Sequence, residues 1–259
     1  MRAIRLHPPG QIENLRLEDI DVPSPRPGHV LVRVRAAAVT RGELEWALDR
    51  LPATPSYELC GVLEQETNGF AVGDEVIALT PFDRDGVAAE LALVSADLLA
   101  PRPRSLDPIQ AAALPMPGLS AWQALLLHGH LHAGERLAVT GPHGGVGHVA
   151  IQLARSLGAV LVDAGEPCAL LFDTTGGGQL ARAAGAAERI VTIAEEATGA
   201  SYFVVEPDGE QLRQLSRLAD AGQLRVDIDS VFPLHAARDA FTRATARGKR
   251  GKVVLRLTE

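Results

Sequence analysis

The segment Arg136-Leu-Ala-Val-Thr140-Gly141-Pro-His-Gly-Gly-Val-Gly147 decides how the rest of the chain is read. Its first five residues make a short apolar run of strand type, and glycines crowd directly behind it. Beyond them Val146, Val149, Ala150, Leu153, Ala154 and Leu157 recur at three- and four-residue steps, with Gln152, Arg155 and Ser156 on the other face. That spacing predicts an amphipathic helix, which Gly158 closes. A strand that ends in glycines at a helix start is a phosphate site in outline. Missing side chains let the backbone approach a diphosphate, and the helix N-terminus offers free N–H groups and partial positive charge. Gly144, Gly145, Val146 and Gly147 form the expected cradle, with Gly147 also packing helix against strand. A tight turn without a ligand is the plainer alternative, because glycine spacing alone is weakly specific.

Working outward, the first hundred residues read as β-rich. Val30, Val32 and Val34 alternate with Arg33 and Arg35, the pattern of a half-buried strand. Apolar runs follow at Leu59–Leu63, Val76–Leu79 and Val87–Val94, separated by the turn formers Asn68-Gly69, Gly73-Asp74 and Asp85-Gly86. Pro101, Pro103 and Pro108 mark a change of regime. Asp107-Pro108 is a sound helix start, and a second helix is expected over Leu119–His128. Later, Ala169–Asp173, Arg189–Ile193 and Tyr202–Val205 read as strands. Asp208 with Gln211 resembles a capping box opening a helix through Ala219, Leu234–Ala246 a last helix and Lys252–Leu257 a closing strand. The fold class is α/β, β-rich at the N-terminus.

Composition narrows the function. The chain has 259 residues, 46% hydrophobic and 22% charged, so wholesale disorder is excluded. A net charge of −7 offers no basic surplus for nucleic acid. No stretch reaches the ~20 apolar residues of a membrane span. The first twenty residues lack an apolar signal core, and a cytoplasmic protein is expected. Cys60 and Cys168 are too few for a disulfide framework. Lys249 and Lys252 are the only lysines, a bias read here as that of a GC-rich genome.

A resemblance rests on segments spanning most of the chain. They are Val39–Glu43, Pro55–Val62, Val72–Ile77, Ala111–Leu114, Gly118–Trp122, Gly144–Leu157, Phe172-Asp173 with Gly176-Gly177, Phe203–Gly209 and Gly251–Val254. On these the chain resembles the zinc-free, quinone-oxidoreductase-like branch of the medium-chain dehydrogenase/reductase superfamily. The resemblance implies a GroES-like β-rich substrate domain over 1–108 and a truncated Rossmann-like cofactor domain over 109–230. Residues 231–259 would return to the first domain. It also implies hydride transfer from NADPH or NADH to a quinone, enone or other activated double bond. An apolar small-molecule substrate would sit in the interdomain cleft, with Thr40, Ser120 and Phe203 near the nicotinamide.

Several positions depart from the family pattern. Thr40 stands where Asn is usual, Ser120 where Thr is usual and Ser56 where Gly is usual. Pro142 and His143 occupy small-residue positions of the loop, and Pro142 forfeits one backbone donor. The largest departure is a deletion after Gly158, where the family continues through a further strand and helices. Only Ala164–Cys168 separates Val160–Asp163 from Ala169–Asp173, and neighbouring parallel strands need a crossover of about a dozen residues. One run is therefore expected to leave the sheet, become a hairpin arm or merge with the other. Asp163 would meet a ribose 2′-OH if its strand keeps its place, or be a solvated loop residue. No basic residue lies between Gly158 and Leu180 to meet a 2′-phosphate. Dinucleotide affinity is expected to be weak or absent.

Proton-transfer candidates are His143, Tyr57, Tyr202 and Glu43, with packing as the alternative for Tyr57. Imidazoles suit acid–base work near neutral pH, and His143 sits in a loop where a core role is implausible. The proposed catalytic set is His143, Tyr57, Thr40 and Ser120. His128, His130 and His132 fall in a helix-to-strand loop and are read as solvated, with no metal expected. Two further readings stay open. One is a cofactor-independent descendant catalysing a cyclisation, isomerisation or addition, and the other is a non-catalytic binding protein. Pairing of edge strands at Tyr202–Val205 would make a homodimer.

Overall fold

The computed structural model describes residues 1–67 and 69–257, so of the expected Asn68-Gly69 turn Asn68 lies outside the described residues. The N-terminal half supplies β1 (Arg2–Leu6), β2 (Leu15–Asp19), β3 (His29–Val39), β4 (Glu58–Leu63), β5 (Glu75–Leu79), β6 (Leu91–Ser95) and β7 (Ala100–Pro101). Two short helices follow, α1 (Pro108–Ala112) and α2 (Pro115–Trp122). Then come β8 (Arg136–Val139), α3 (Gly147–Ser156), β9 (Val160–Val162), β10 (Cys168–Asp173), α4 (Gly177–Ala183), β11 (Ala187–Thr192), β12 (Ser201–Tyr202) and α5 (Gly209–Asp220). The chain ends through β13 (Ile228–Pro233), α6 (Ala237–Thr245) and β14 (Lys252–Arg256). No helix among the described residues is long and apolar enough to cross a membrane.

Beside the antiparallel pair β1–β2, the strands form a GroES-like β sheet and a parallel Rossmann-like sheet. The first runs β13-β14-β3-β4-β5-β7, with β6 also on β3. Strand β3 buries Val30, Val32 and Val34, while Arg33 reaches Glu64 just past β4 and Arg35 reaches Glu75 of β5, at 2.7 Å each. Its last four residues are buried on both faces, because α1 covers them. Strand β13 was not foreseen in the sequence. It pairs parallel to β14, which pairs antiparallel to β3, so the C-terminal segment completes the N-terminal sheet.

The second sheet has the order β12-β11-β10-β8-β9, with every pairing parallel. Against the dinucleotide-fold order 3-2-1-4-5-6 this is 2-1-4-5-6, and the order reverses between β8 and β10. Here the expected fate of the two close runs needs correction. Both remain in the sheet, on opposite sides of β8. They are not neighbours, so the long-crossover rule does not apply to them. Strand β9 ends level with Ala138, and two strand spacings, about 10 Å, lie within reach of five linking residues.

Other boundaries shift for local reasons. The strand expected over Tyr202–Val205 stops at Tyr202, because Phe203 and Val205 turn into the core. The helix expected over Leu119–His128 starts earlier, at Pro115, and passes after Trp122 into a wider turn through His128. Asp107 does cap α1, accepting the Gln110 amide at 2.8 Å. One apolar core runs through both sheets: Tyr57, Ile77 and Leu79 join Leu114, Leu119 and Leu215, then Leu137, Leu170 and Phe172.

Candidate functional site

The glycine loop leaves β8 at the point where the strand order reverses. Gly141 has φ +63°, and a Cβ there would press on Thr174 Oγ1 and Thr175 Cγ2, each at 2.7 Å. A Cβ at Gly147 would collide with the Gly141 carbonyl oxygen, so α3 docks on the turn only through a glycine. Gly144 donates to Gly141 and His148 to Gly144, whereas the amides of Gly145, Val146 and Gly147 donate to no acceptor among the described residues. His148, unremarked in the sequence, braces the loop. Its Nδ1 lies 2.8 Å from the Gly144 carbonyl oxygen and its Nε2 accepts the Asp227 amide at 3.1 Å.

Beneath the loop, Asp173 gathers three strand ends. Its Oδ1 accepts Thr140 Oγ1 at 2.5 Å and its Oδ2 accepts Thr192 Oγ1 at 2.8 Å and the Gly176 amide at 3.0 Å. Fully buried, this carboxylate ties β8, β10 and β11 together where a ligand would approach.

The other wall comes from the GroES-like sheet. Lys252 opens β14 and lies against the loop: a Cβ at Gly145 would stand 3.0 Å from Lys252 Cδ. Its Nζ is 2.5 Å from Glu58 Oε1 and donates to Thr40 Oγ1 at 3.0 Å. Glu58 Oε2 accepts the Met116 amide at 2.9 Å, joining β4 to the start of α2. Glu43 is buried beside this pair, accepting the amides of Thr40 and Ser56, each at 3.1 Å. Loss of hydration pushes its carboxyl up to about 8, against the opposing pull of Lys252 and the Thr40 amide. Ser56, where the family has Gly, adopts φ +64°, a left-handed conformation that favours glycine.

The structure thus brings Thr40 and Gly145 to opposite sides of one lysine. His143 is exposed in the loop, and its carbonyl oxygen accepts the Gly251 amide at 3.4 Å. Ser120 is buried in α2, and its hydroxyl makes no hydrogen bond within the described residues. Asp163 is exposed just beyond β9, its amide bonded to Glu166 at 3.0 Å. Tyr57, expected in the catalytic set with packing as the alternative, lies in the core. Its ring is fully buried against Trp46 and Phe82, and its hydroxyl accepts Arg50 at 3.0 Å, an arrangement of packing. Phe203 is buried and stacks on the exposed ring of His128 at a centroid distance of 4.2 Å. Tyr202 is exposed on an edge strand. Cys60 is buried, and desolvation pushes its thiol up to about 12. Among the described residues no three His, Cys, Asp or Glu side chains gather as metal ligands.

Glu58 and Lys252 were not singled out as site residues, although both lie in segments that carry the resemblance, Pro55–Val62 and Gly251–Val254. Their other local signal is a charge at the first position of a mostly apolar strand. For Lys252 there is one more: it is one of two lysines in a chain that otherwise uses arginine.

A β-rich domain completed by the C-terminal strands, joined to a parallel sheet with a glycine loop at its switch point, is the architecture of a nicotinamide-dependent dehydrogenase or reductase. Comparison with known proteins agrees. Residues 26–104 match the alcohol dehydrogenase GroES-like domain, and residues 136–255 match a family described as zinc-binding dehydrogenase. A probable zinc-binding oxidoreductase, mitochondrial, of Arthroderma benhamiae is 27% identical over an alignment 319 positions long, gaps included, covering 99% of this chain and 96% of that protein. The quinone oxidoreductase of Mus musculus is 38% identical over 172 residues, covering 61% of this chain and half of that protein's length. A crystal structure of an alcohol dehydrogenase superfamily protein from Novosphingobium aromaticivorans superposes with a TM-score of 0.88 at 26% identity, covering both chains in full. The chain belongs to the medium-chain dehydrogenase/reductase superfamily, among its quinone-oxidoreductase-like members. That family implies a nicotinamide cofactor.

Proposed function

We propose that the protein is an NAD(P)H-dependent reductase of a quinone, enone or other activated double bond. The carrying observation is the loop with three unengaged amides, against which the Thr40–Lys252–Glu58 cluster packs through the Lys252 side chain. The loop fits a diphosphate, since a side chain at Gly145 would fill the cradle against Lys252. Gly144–Gly147 would hold the phosphates and Asp163, at the carboxyl end of β9, the adenosine ribose. When bound, the nicotinamide supplies hydride.

This chain's part is to position and polarise. Thr40 is half-buried, accepts a hydrogen bond from the Lys252 ammonium at 3.0 Å and donates its own proton to Glu58 Oε1 over a long 3.4 Å, a bond that a substrate carbonyl would compete for. Lys252, paired with Glu58, backs that hydroxyl with charge. The surrounding apolar core excludes water, and in such surroundings a fixed donor is worth more than in solution. His143, at the loop's exposed rim, is the second candidate donor. Purified protein with NADPH and a simple benzoquinone should consume the reduced nicotinamide, read by its near-ultraviolet absorbance. No consumption with either NADPH or NADH across several quinones and enones would overturn the reading.

A specific observation favours a second reading. No strand pairs outside β9 among the described residues, so the adenosine side of the site has one wall fewer than the order 3-2-1-4-5-6 provides. On that ground dinucleotide affinity is weak, and a cofactor-independent cyclisation, isomerisation or addition in the same cleft is the alternative. Turnover of a substrate without nicotinamide would select it. We also propose a cytoplasmic homodimer through the edge at β12, where Tyr202 and Val204 are exposed. Val204→Asp should then lower the mass measured by light scattering from dimer to monomer, and a monomeric wild type would refute it.

A further inference from the structure

We infer that Lys249 is an anion-binding residue of the glycine-loop site, contacting the diphosphate of the ligand from the opposite domain. This rests on the loop being a phosphate cradle, but adds a binding group that the loop itself does not carry. The loop between α6 and β14 runs Arg247-Gly-Lys-Arg-Gly-Lys252 and lies on the glycine loop through the Gly251 amide and the His143 carbonyl oxygen. Lys249 Nζ donates to the Gly251 carbonyl oxygen at 2.7 Å, and that oxygen is 3.9 Å from where a Gly145 Cβ would stand. The ammonium is therefore within about 7 Å of the cradle, roughly the span that a diphosphate fills.

What singles out Lys249 is its missing counter-charge. Lys252 is paired with Glu58, whereas Lys249 has no carboxylate within 4.0 Å among the described residues. Asp229, the acid whose charge favours the ammonium, is held by Arg243 at 2.6 and 2.7 Å and by the Arg250 amide at 3.0 Å. Burial lowers the Lys249 ammonium to about 8, and the charges of Lys252, Arg243 and Arg41 push the same way. Arg41 and Arg250 are both exposed, and neither side chain makes an ion pair among the described residues. Positive charge accumulates here in a chain whose net charge is −7. A half-buried cation whose one hydrogen-bond partner among the described residues is a carbonyl oxygen, with no paired acid, is stabilised by an arriving anion, and two phosphate groups meet that need.

The test is calorimetric titration of the full chain at pH 7 and low salt with inorganic pyrophosphate and, separately, with NADPH. Wild type is compared with Lys249→Met and Lys249→Arg. Melting of the unliganded variants shows whether the fold is intact, and Lys249→Arg is the second, gentler variant. Lys249→Met should weaken both ligands about tenfold, and Lys249→Arg should recover most of the loss. Equal NADPH affinity in wild type and Lys249→Met would overturn the assignment while leaving the cofactor reading in place. Lysine-dependent pyrophosphate binding without NADPH binding would uphold Lys249 and remove the dinucleotide. Binding of neither ligand to the wild type would overturn both.

Discussion

Lys252 sits between two buried carboxylates, Glu58 at 2.5 Å and Glu43 with its carboxyl raised to about 8. Removing one partner of a buried pair strands the other, so Lys252→Met should cost about 3–5 kcal/mol in denaturant unfolding. A loss below about 1 kcal/mol would mean that water reaches Glu58. Glu43 makes a different prediction. Its folded pKa lies above the ordinary 4.5, so its contribution to stability is complete below pH 4.5 and falls as pH rises to about 8. At about 1.4 kcal/mol per unit, the fall approaches 5 kcal/mol. Denaturant midpoints measured from pH 5 to 8 should show that slope in the wild type and lose it in Glu43→Gln. Of these residues only Thr40 and Glu43 were named as candidates beforehand, although Glu58 and Lys252 also lie in segments that carry the resemblance. Thr40 came through a family motif, and Glu43 as an acid beside it. Glu58 and Lys252 are 194 residues apart, and nothing local distinguishes a buried charge from one at a frayed strand end.

Helix α3 shows what local pattern does decide. Its apolar stripe, its glycine start and its glycine stop are all written in consecutive residues, and Val149, Ala150, Leu153 and Ala154 are buried as the period requires. Gly147 carries the docking, because any side chain there meets the Gly141 carbonyl oxygen. Gly147→Ala should therefore lower stability by about 1–3 kcal/mol and shift the free amides out of register. Pyrophosphate binding, followed by calorimetry, should fall with it; unchanged binding would detach the loop from the anion site. The link from β9 to β10 shows the opposite case. Its length correctly excluded adjacent parallel strands, yet the place of β8 between them was not available from length alone.

At the scale of the whole molecule the two sheets share one core. Leu114, Leu119 and Leu215 lie between Ile77 of the first sheet and Phe172 of the second, each worth about 1.5–3 kcal/mol when buried. Polar ties cross the same boundary: Ser216 Oγ donates to the Pro101 carbonyl oxygen at 2.9 Å, and the Ser105 amide to Asp220 at 2.9 Å. Neither domain keeps a complete core without the other. Differential scanning calorimetry should accordingly show a single unfolding transition, and two resolved peaks would contradict a shared core.

Sequence alone determined the elements whose causes are local: the glycine loop, the amphipathic helices and the alternating strands of a β-rich domain. Through its motifs it also determined the family. Tertiary structure alone decided that β14 returns to β3, that Lys252 and Lys249 flank a loop more than a hundred residues earlier, and that Tyr57 packs between Trp46 and Phe82 with its hydroxyl on Arg50. The physical reason is range. Periodicity and turn chemistry act between residues a few positions apart, whereas the compensation of a buried charge depends on whichever distant group the completed fold places beside it.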